Sequence, residues 1–371
     1  SNYQLMDAHD HPEVVLVRSA DMHDKNWGTD LIAVGRAGTG VNNIPIDLMS
    51  RQGIAVFNAP GANANAVKEL VIGSMLMTAR KLFQAAEYVK YLDTDESQLS
   101  EKLESAKKAF SGVELSGYKL GVVGLGAIGV KVANAAIGLG MEVVGYDPKI
   151  SVQNAWHLSA DVKQEDALDS LLKTCDFISL HVPLVNATHN LINEANLELL
   201  KPHAVVMNFS RGEIVNDDAI IHALDEGNVG WYVTDFPTLS NKNHLRVLAL
   251  PHLGASTIQA EELASTQVVE QVKEYIESGN VTHSVNLPEV KAGPIPEGVC
   301  RIAIINENNV GMITRISEVI GEFDLNIIEM TNKSRNDLAY TLVDIDGVCA
   351  PDLLDRLVES DGVRSARFCG V

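Results

Sequence analysis

Gly124-Leu125-Gly126-Ala127-Ile128-Gly129 is the stretch that decides the fold of the middle of the chain. The apolar run at residues 119–124 predicts a buried strand, and residues 130–139 after the glycines predict a helix. A strand that turns through glycines into a helix is typical of a parallel sheet with helices on both faces. The sequence therefore predicts a doubly wound α/β domain around this turn.

Each glycine of the turn has its own physical task. Gly124 permits the tight turn, Gly126 lets a pyrophosphate approach the backbone, and Gly129 lets the helix pack closely on the strand. The free N–H groups and the positive end of the helix dipole then face the phosphates. We therefore predict that a dinucleotide binds at the turn.

Asp147 indicates which dinucleotide is bound. It lies 18 positions after Gly129 (147 − 129), at the end of a second predicted strand at residues 142–146. Its carboxylate can accept hydrogen bonds from the adenosine ribose hydroxyls and would repel a 2′-phosphate. The expected cofactor is therefore NAD rather than NADP.

Composition and charge exclude several classes of protein. The formal net charge is −20, from 49 acidic and 29 basic residues, which argues against nucleic-acid and anionic-membrane partners. No apolar run approaches the roughly 20 residues that span a bilayer, and the N-terminal residues lack a signal-peptide pattern. The four cysteines show no C-x-x-C pair and no metal-ligand spacing, so we expect free thiols and no metal. These features favour an acidic cytoplasmic enzyme.

Two further candidate residues follow predicted strands, where open α/β sheets bind ligands. Arg211 comes after a strand at residues 204–208, and its planar guanidinium suits a substrate carboxylate. His252 comes after a strand at residues 247–250, and a histidine titrates in the range that proton exchange needs. Either residue alone could be structural; together with the glycine turn they predict hydride transfer on a 2-hydroxy acid.

Six stretches in this order resemble the D-isomer-specific 2-hydroxyacid dehydrogenase family, and the resemblance covers nearly the whole chain. They are residues 35–41 (GRAGTGV), 124–129 (GLGAIG), 181–184 (HVPL), 210–212 (SRG), 235–237 (DFP) and 251–257 (PHLGAST). Each is short, but their combination in one chain is highly specific.

The resemblance implies roles for individual residues. Arg211 would bind the substrate carboxylate, and His252 would be the acid/base. Arg18, Gly38, Thr39 and Asn42 would lie near the substrate, with Arg18 a candidate phosphate contact. The residues that would line the NAD site are Thr39, Gly124, Gly126, Ala127, Ile128, Gly129, Asp147, Thr188, Phe209, Ser210, Asp235, Gly254 and Ala255.

The chain departs from the family behind the histidine. The family usually places a Glu a few residues beyond the DFP-like stretch, but Leu239 and Ser240 stand there, and no Asp or Glu occurs between Asp235 and His252. Three alternatives stay open: Asp235 takes on the catalytic role, an acid arrives from elsewhere, or His252 works unpaired. An unpaired, partly buried histidine should have a lower pKa than one held by a carboxylate.

The length of 371 residues and the pattern of elements predict three domains. Residues 1–92 and 256–290 would form the substrate domain and residues 93–255 the NAD-binding domain, both doubly wound parallel-sheet (Rossmann-like) units. The polar segment 93–97 would be the hinge. Residues 299–371 show strand, helix, two strands, helix and strand, which predicts a ferredoxin-like βαββαβ unit.

The C-terminal segment also resembles an ACT domain, an amino-acid-sensing unit. Asn306, Asn308 and Asn326 stand where polar residues of such domains bind L-serine, although a His is common at the first position and residues 309–310 replace a usual Arg-Pro pair. The sequence leaves two roles open for the C-terminal segment: it binds L-serine, or it only joins subunits.

The two resemblances together favour one reaction. They imply NAD-dependent oxidation of 3-phospho-D-glycerate to 3-phosphooxypyruvate, the entry to L-serine synthesis, by a homodimer or homotetramer. The alternatives are a hydroxypyruvate or glyoxylate reductase of the same family and a non-catalytic NAD-sensing corepressor.

Overall fold

The computed structural model describes residues 3–7, 11–25, 27–348 and 350–370. Their strands, in chain order, are β1 (Val14–Val17), β2 (Ala33–Arg36), β3 (Ala55–Asn58), β4 (Lys119–Val123), β5 (Glu142–Tyr146), β6 (Lys163–Gln164), β7 (Phe177–Leu180), β8 (Val205–Asn208), β9 (Trp231–Thr234), β10 (Val247–Ala249), β11 (Val299–Glu307), β12 (Asn326–Arg335), β13 (Leu338–Asp346) and β14 (Val363–Cys369). The α-helices are α1 (Ile46–Arg51), α2 (Ala64–Ala79), α3 (Leu82–Tyr91), α4 (Glu96–Ala106), α5 (Ala127–Gly138), α6 (Val152–His157), α7 (Leu168–Thr174), α8 (Glu194–Leu197), α9 (Asp217–Asp225), α10 (Ile258–Ser278), α11 (Met312–Glu322) and α12 (Pro351–Val358).

Contacts divide the chain into two compact units. Residues 63–260 form one, and residues 1–62 with 261–371 form the other. This division differs from the predicted domains, because α2 packs on α5 and because the C-terminal segment packs within the same unit as residues 1–62. The predicted domain boundaries stay a prediction.

The unit of residues 63–260 contains a parallel sheet with the order β10-β9-β8-β7-β4-β5-β6 in the described part of the chain. Helices cover both faces, which confirms the predicted doubly wound fold. One face packs Val71, Met75, Val122, Ala133 and Ala136, and the other packs Leu171, Ile178, Leu197, Ile220 and Leu224. The strand order reverses between β4 and β7, and such a switch point is where open sheets bind ligands. The sequence analysis missed β6 and β9.

Asp176 forms hydrogen bonds that connect the starts of three neighbouring strands, β4, β7 and β8. Its carboxylate accepts hydrogen bonds from Lys119 N at 2.8 Å, Lys201 Nζ at 2.8 Å and His203 Nε2 at 2.9 Å, and its carbonyl accepts one from Val205 N. Burial pushes the pKa of Asp176 upward, but the hydrogen bonds outweigh it and hold that pKa below its ordinary value.

The unit of residues 1–62 and 261–371 begins with a parallel sheet in the order β1-β2-β3 among the described strands. The long helix α10 packs against it at Gly35, where a Cβ would lie 3.0 Å from the Val268 side chain and 3.1 Å from that of Val272. Glycine at this position therefore lets helix and sheet approach closely. The apolar runs at residues 14–17, 31–34 and 54–57 predict three strands here. β1 lies where predicted, whereas β2 lies two residues and β3 one residue farther along the chain.

The C-terminal segment has the predicted βαββαβ order and forms an antiparallel sheet, β12-β13-β11-β14. Helices α11 and α12 pack on it through a core that includes Ile302, Ile304, Ile316, Val343 and Leu353. Tyr340, Arg301 and Arg367 donate hydrogen bonds to carbonyl oxygens of residues 276–279 at 2.7–3.2 Å. These carbonyls end α10 and have no partner within the helix, so the C-terminal sheet caps the helix that lies on the first sheet.

The prediction that the cysteines are free thiols is correct for only some of them. Cys175 and Cys369 are free and buried, whereas Cys300 is disulfide-bonded, so the expectation is wrong for that residue. Spacing along the chain gave no sign of the bond, because a disulfide depends on where the fold brings two sulfurs together. The same expectation for Cys349 lies outside the described residues.

The described residues contain no helix with both the length and the apolarity needed to cross a membrane. Within the same ranges, no group of three or more His, Cys, Asp or Glu side chains could hold a metal ion.

Asp176→Asn should lower the free energy of unfolding by about 1–3 kcal/mol at pH 7, because the amide cannot replace the charged acceptor. The pKa of Asp176 is depressed in the folded state, so its stabilisation is present above the unfolded pKa of about 3.9 and is lost as the pH falls through the folded value. Urea denaturation should therefore show a difference from the parent that shrinks below about pH 4. Asp161→Asn, at an exposed aspartate, is the control, and an equal effect of the two substitutions would contradict the account.

Candidate active site

The glycine turn has the backbone geometry that its sequence predicts. Gly124 has φ +91°, and a Cβ there would lie 2.5 Å from the carbonyl oxygen of His181. A Cβ on Gly129 would lie 1.9 Å from the carbonyl oxygen of Gly124. Both positions require glycine, the first for the turn and the second for the start of α5 directly over β4.

The open side of the turn is at Gly126. An added Cβ would meet no described atom within 4 Å, and Gly126 is the N-cap of α5 without a side-chain hydrogen bond to that helix end. The first turn of α5, which includes Ala127 and Ile128, therefore offers N–H groups and the positive end of the helix dipole to this space. A dinucleotide pyrophosphate fits these residues.

Asp147 closes the turn from the end of β5. Its Oδ2 accepts a hydrogen bond from Leu125 N at 2.8 Å, and its Oδ1 accepts one from Lys149 N at 2.8 Å. A carboxylate has about four acceptor positions, so it keeps capacity for ribose hydroxyls. Its place beside the turn fits the expected selection of NAD.

The loops after β7 and β8 end at the same edge of the sheet. Thr188 Oγ1 accepts a hydrogen bond from Val185 N at 2.9 Å, which closes the loop after β7. Ser210 Oγ donates to Leu180 O at 2.7 Å and links the loop after β8 to β7, and Phe209 before it is buried. The predicted cofactor residues Thr188, Phe209 and Ser210 are thus brought to the edge where the glycine turn lies.

His181 is a partly buried, neutral residue of this edge. Its Nε2 is 2.8 Å from Ser179 Oγ, and its Nδ1 has no hydrogen-bond partner among the described residues. Burial lowers the pKa of His181 to about 3. A histidine that stays neutral near pH 7 does not supply the proton exchange that the reaction needs, so His252 remains the acid/base candidate at this edge.

Arg211 and His252 also follow strands that end at this edge. Arg211 comes after β8, is exposed, and donates from Nη1 to Ser210 O at 2.6 Å, which leaves other donors of its guanidinium for a ligand. His252 comes after β10, and its backbone N–H donates to Asp235 O at 2.9 Å. It has φ +48°, and its ring packs on Phe236 with the ring centroids 4.7 Å apart.

Asp235 lies directly after β9 and is only 2 % exposed. Its Oδ2 accepts a hydrogen bond from Gly254 N at 3.0 Å, whereas its Oδ1 is buried without a partner among the described residues. Burial raises the pKa of Asp235, and the Gly254 N–H and the charges of His252 and Arg211 oppose that rise. The structure therefore brings Arg211 and His252 within electrostatic reach of Asp235. Ala255 is the exposed residue after Gly254.

The loop in which the family usually has a glutamate, residues 238–241, forms hydrogen bonds to a different acidic residue. Asp217, the first residue of α9, accepts hydrogen bonds from Thr238 Oγ1 and Ser240 Oγ at 2.5 Å each and from Asn241 Nδ2 at 2.6 Å. Leu239 between them is 86 % exposed. The sequence analysis missed Asp217, which belongs to no motif, and the packing of Phe236 on His252. The side-chain hydroxyls and amide of residues 238–241 were the signal that could have indicated a hydrogen-bonding partner for this loop.

The remaining substrate candidates lie in the other unit, at or beyond the ends of β1 and β2. Arg18 is exposed, and its Nη2 forms an ion pair of 2.5 Å with Glu261. Gly38 has φ +156°, Thr39 Oγ1 donates to a backbone carbonyl at 3.3 Å, and Asn42 lines an open surface depression. Glu261 is a partner of Arg18 that the sequence did not reveal.

The three candidate serine residues are not together within one chain. Asn306 and Asn308 line a cavity of about 250 Å³ at the start of α11. The Asn306 side chain is buried there, where it donates to Glu307 O and accepts from Thr341 Oγ1. Asn326 pairs with Asp346, seven residues along β13 from the partner of Asn306 (346 − 339), which is about 24 Å at the usual rise of a strand.

Comparisons with known proteins agree with this site. Residues 72–254 match the family model described as D-isomer specific 2-hydroxyacid dehydrogenase, NAD binding domain. D-3-phosphoglycerate dehydrogenase of Haemophilus influenzae is 34% identical over 348 residues, which cover 91% of this chain and 81% of that protein. D-3-phosphoglycerate dehydrogenase of Escherichia coli K12 is 31% identical over 332 residues, which cover 86% of this chain and 77% of that protein.

Solved structures give the same result. The NAD+-bound 3-phosphoglycerate dehydrogenase of Entamoeba histolytica has a TM-score of 0.59 and 28% identity, covering 74% of this chain and 82% of that one. The apo D-mandelate dehydrogenase of Rhodotorula graminis has a TM-score of 0.60 and 25% identity, covering 71% and 76%. The resemblance read from the motifs is thereby confirmed, and the chain belongs to the D-isomer-specific 2-hydroxyacid dehydrogenase family.

Proposed function

We propose that the chain oxidises 3-phospho-D-glycerate to 3-phosphooxypyruvate with NAD, in the cytoplasm, as the first step of L-serine synthesis. The observation that carries the proposal is that Arg211, Asp235 and His252 follow β8, β9 and β10 at the edge where the glycine turn lies. The relatives that cover most of the chain and are named D-3-phosphoglycerate dehydrogenase support the choice of substrate.

Arg211 and His252 would do the chemistry of this chain. The guanidinium of Arg211 binds the substrate carboxylate through its planar pair of donors, and its hydrogen bond to Ser210 O limits its orientation. His252 accepts the proton of the C2 hydroxyl. When bound, NAD accepts the hydride from C2.

Each part of the NAD site has a separate task in this proposal. The N–H groups at the start of α5 hold the pyrophosphate next to Gly126, and Asp147 holds the adenosine ribose. Thr188, Phe209 and Ser210, in the loops after β7 and β8, form one side of the NAD site. Arg18 supplies a positive charge for the substrate phosphate. To do so, it gives up its surface ion pair with Glu261.

A substrate panel tests the proposal. 3-Phospho-D-glycerate, D-lactate, D-glycerate and 2-hydroxyglutarate would each be assayed by NADH absorbance with NAD and with NADP. We expect the phosphorylated acid with NAD to give the highest kcat/KM. Arg211→Gln should lower that value by about 100-fold or more, since a charge-assisted bidentate contact contributes about 3 kcal/mol.

Two outcomes would contradict the proposal. Preference for unphosphorylated acids would indicate a reductase of the same family, and the absence of turnover with every acid would indicate a protein that only senses NAD. Lys149→Gln, at an exposed lysine after the cofactor turn, is a control for a general loss of charge and should change kcat/KM little.

We also propose that the chain is a homodimer or homotetramer whose C-terminal segment binds L-serine. The cavity next to Asn306 and Asn308 supports a small polar ligand, and Asn326 would reach it from a second copy of the chain. The exposed apolar side chains of α3, Leu82, Phe83, Val89 and Tyr91, support association through another surface.

Isothermal titration tests the serine site. L-Serine should release or absorb heat with the parent chain, and Asn326→Ala should abolish most of that signal. D-Serine is the matched control ligand. A parent chain without any heat of binding would leave the C-terminal segment with a structural role alone.

A further inference from the structure

We infer that Phe236 is a positioning residue of the reaction. Its side chain contacts both the segment that carries Arg211 and the ring of His252, and so fixes the separation at which these two groups act. The inference rests on the proposed roles of Arg211 and His252 and adds a third residue to them. Phe236 acts only through the two elements that it contacts.

The ring of His252 has few other restraints. The residue is exposed, and neither ring nitrogen has a hydrogen bond among the described residues. Its backbone is fixed, because its N–H donates to Asp235 O at 2.9 Å and to Leu250 O at 3.2 Å. Exposed side chains change rotamer within picoseconds to nanoseconds. A constant orientation of this ring therefore requires a packing contact.

Phe236 supplies that contact. The centroids of the Phe236 and His252 rings are 4.7 Å apart, and their planes are tilted by 54°. Tilted aromatic pairs at such distances favour the packed orientation by about 2- to 12-fold over orientations that lose the contact. Phenylalanine has no polar atom in its side chain, so it restrains the imidazole while both ring nitrogens stay free for the substrate.

The second contact of Phe236 lies directly beside Arg211. A Cβ on Gly212 would be 3.4 Å from Phe236 Cβ and 4.0 Å from Phe236 Cγ, so the glycine faces this side chain at ordinary packing distance. On the other side, Asn208 Nδ2 donates to Arg211 O at 2.8 Å. The backbone that carries the guanidinium is therefore supported by Asn208 and by Phe236.

The end of β9 holds Phe236 itself. The N–H of Phe236 donates to Thr234 Oγ1 at 3.0 Å, and Thr234 is fully buried. The residue between them, Asp235, accepts the hydrogen bond from the backbone of His252. Three consecutive residues thus fix both the backbone of His252 and the ring on which its side chain packs.

A 2-hydroxy acid demands a fixed separation between the two reactive side chains. Its carboxylate carbon is bonded directly to C2, which carries the hydroxyl group, so the groups assigned to Arg211 and His252 are one bond apart. Such a substrate cannot adapt to a change in the distance between guanidinium and imidazole. A misplacement of about 1 Å costs about 100-fold in rate. One side chain that contacts both supports limits such misplacement.

Three substitutions of Phe236 test the inference in the full chain, by kcat and KM with NAD and the best acid of the substrate panel. Phe236→Ala should lower kcat by about 10- to 100-fold and leave the KM for NAD within about threefold. Phe236→Leu keeps Cβ and Cγ next to Gly212 but lacks the ring, and should lower kcat by about tenfold. Phe236→Tyr restores the ring and should return kcat to within about threefold of the parent.

Leu239→Ala is the matched control. It shortens an apolar side chain of the same loop that is 86 % exposed. Because this side chain has no role in the site, kcat should change by less than about twofold.

NMR gives a readout that needs no turnover. We expect nuclear Overhauser effects between the ring protons of Phe236 and His252 in the free parent, with the histidine assigned by its loss in His252→Gln. The order parameter of the His252 ring should fall in Phe236→Ala and recover in Phe236→Tyr. A role of Phe236 in packing the loop alone would not alter the motion of this ring.

Several outcomes overturn the inference. A folded Phe236→Ala with parental kcat does so, and if that variant fails to fold, parental kcat in Phe236→Leu does the same. A raised KM for NAD at unchanged kcat would show that Phe236 serves the cofactor instead. A parent without the ring contact by NMR also contradicts it. Preference of the parent for another acid, with the same loss of kcat in Phe236→Ala, would refute the proposed substrate and support the positioning role.

Discussion

The contact between the start of α5 and the end of β4 determines where the other parts of the site can act. Only glycine at position 129 lets the helix begin next to the carbonyl of Gly124, where any Cβ would collide. The helix N-terminus consequently faces the edge at which β7, β8, β9 and β10 end, since all these strands are parallel to β4. Cofactor contacts and reactive side chains come from different loops but share this edge because of that constraint.

Much of this arrangement could be predicted from local signals. Gly124, Gly126 and Gly129 show their spacing in the sequence, and each strand end before Arg211 and His252 is marked by an apolar run. A parallel sheet brings such ends together whatever the length of the intervening helices. The order of motifs along the chain was therefore enough to recognise the family and its fold.

Contacts between distant residues could not be predicted in this way. The hydrogen bonds of Asp217 to Thr238 and Ser240, and the missing partner of Asp235 Oδ1, depend on loop conformations that have no periodic signal. The same holds for the C-terminal segment, predicted as a separate module, whose Tyr340 and Arg301 cap the end of α10. Those capping contacts place it in one compact unit with the first sheet, so a ligand in its cavity would act on a segment packed against that sheet.

Hydride transfer from C2 is the central claim, and isotope transfer tests it most directly. 3-Phospho-D-glycerate deuterated at C2 would be oxidised with NAD, and the reduced cofactor would be analysed by mass spectrometry. The account predicts NADH that carries one deuterium from the substrate. Reduced cofactor without deuterium, or no reduced cofactor at all, would contradict it.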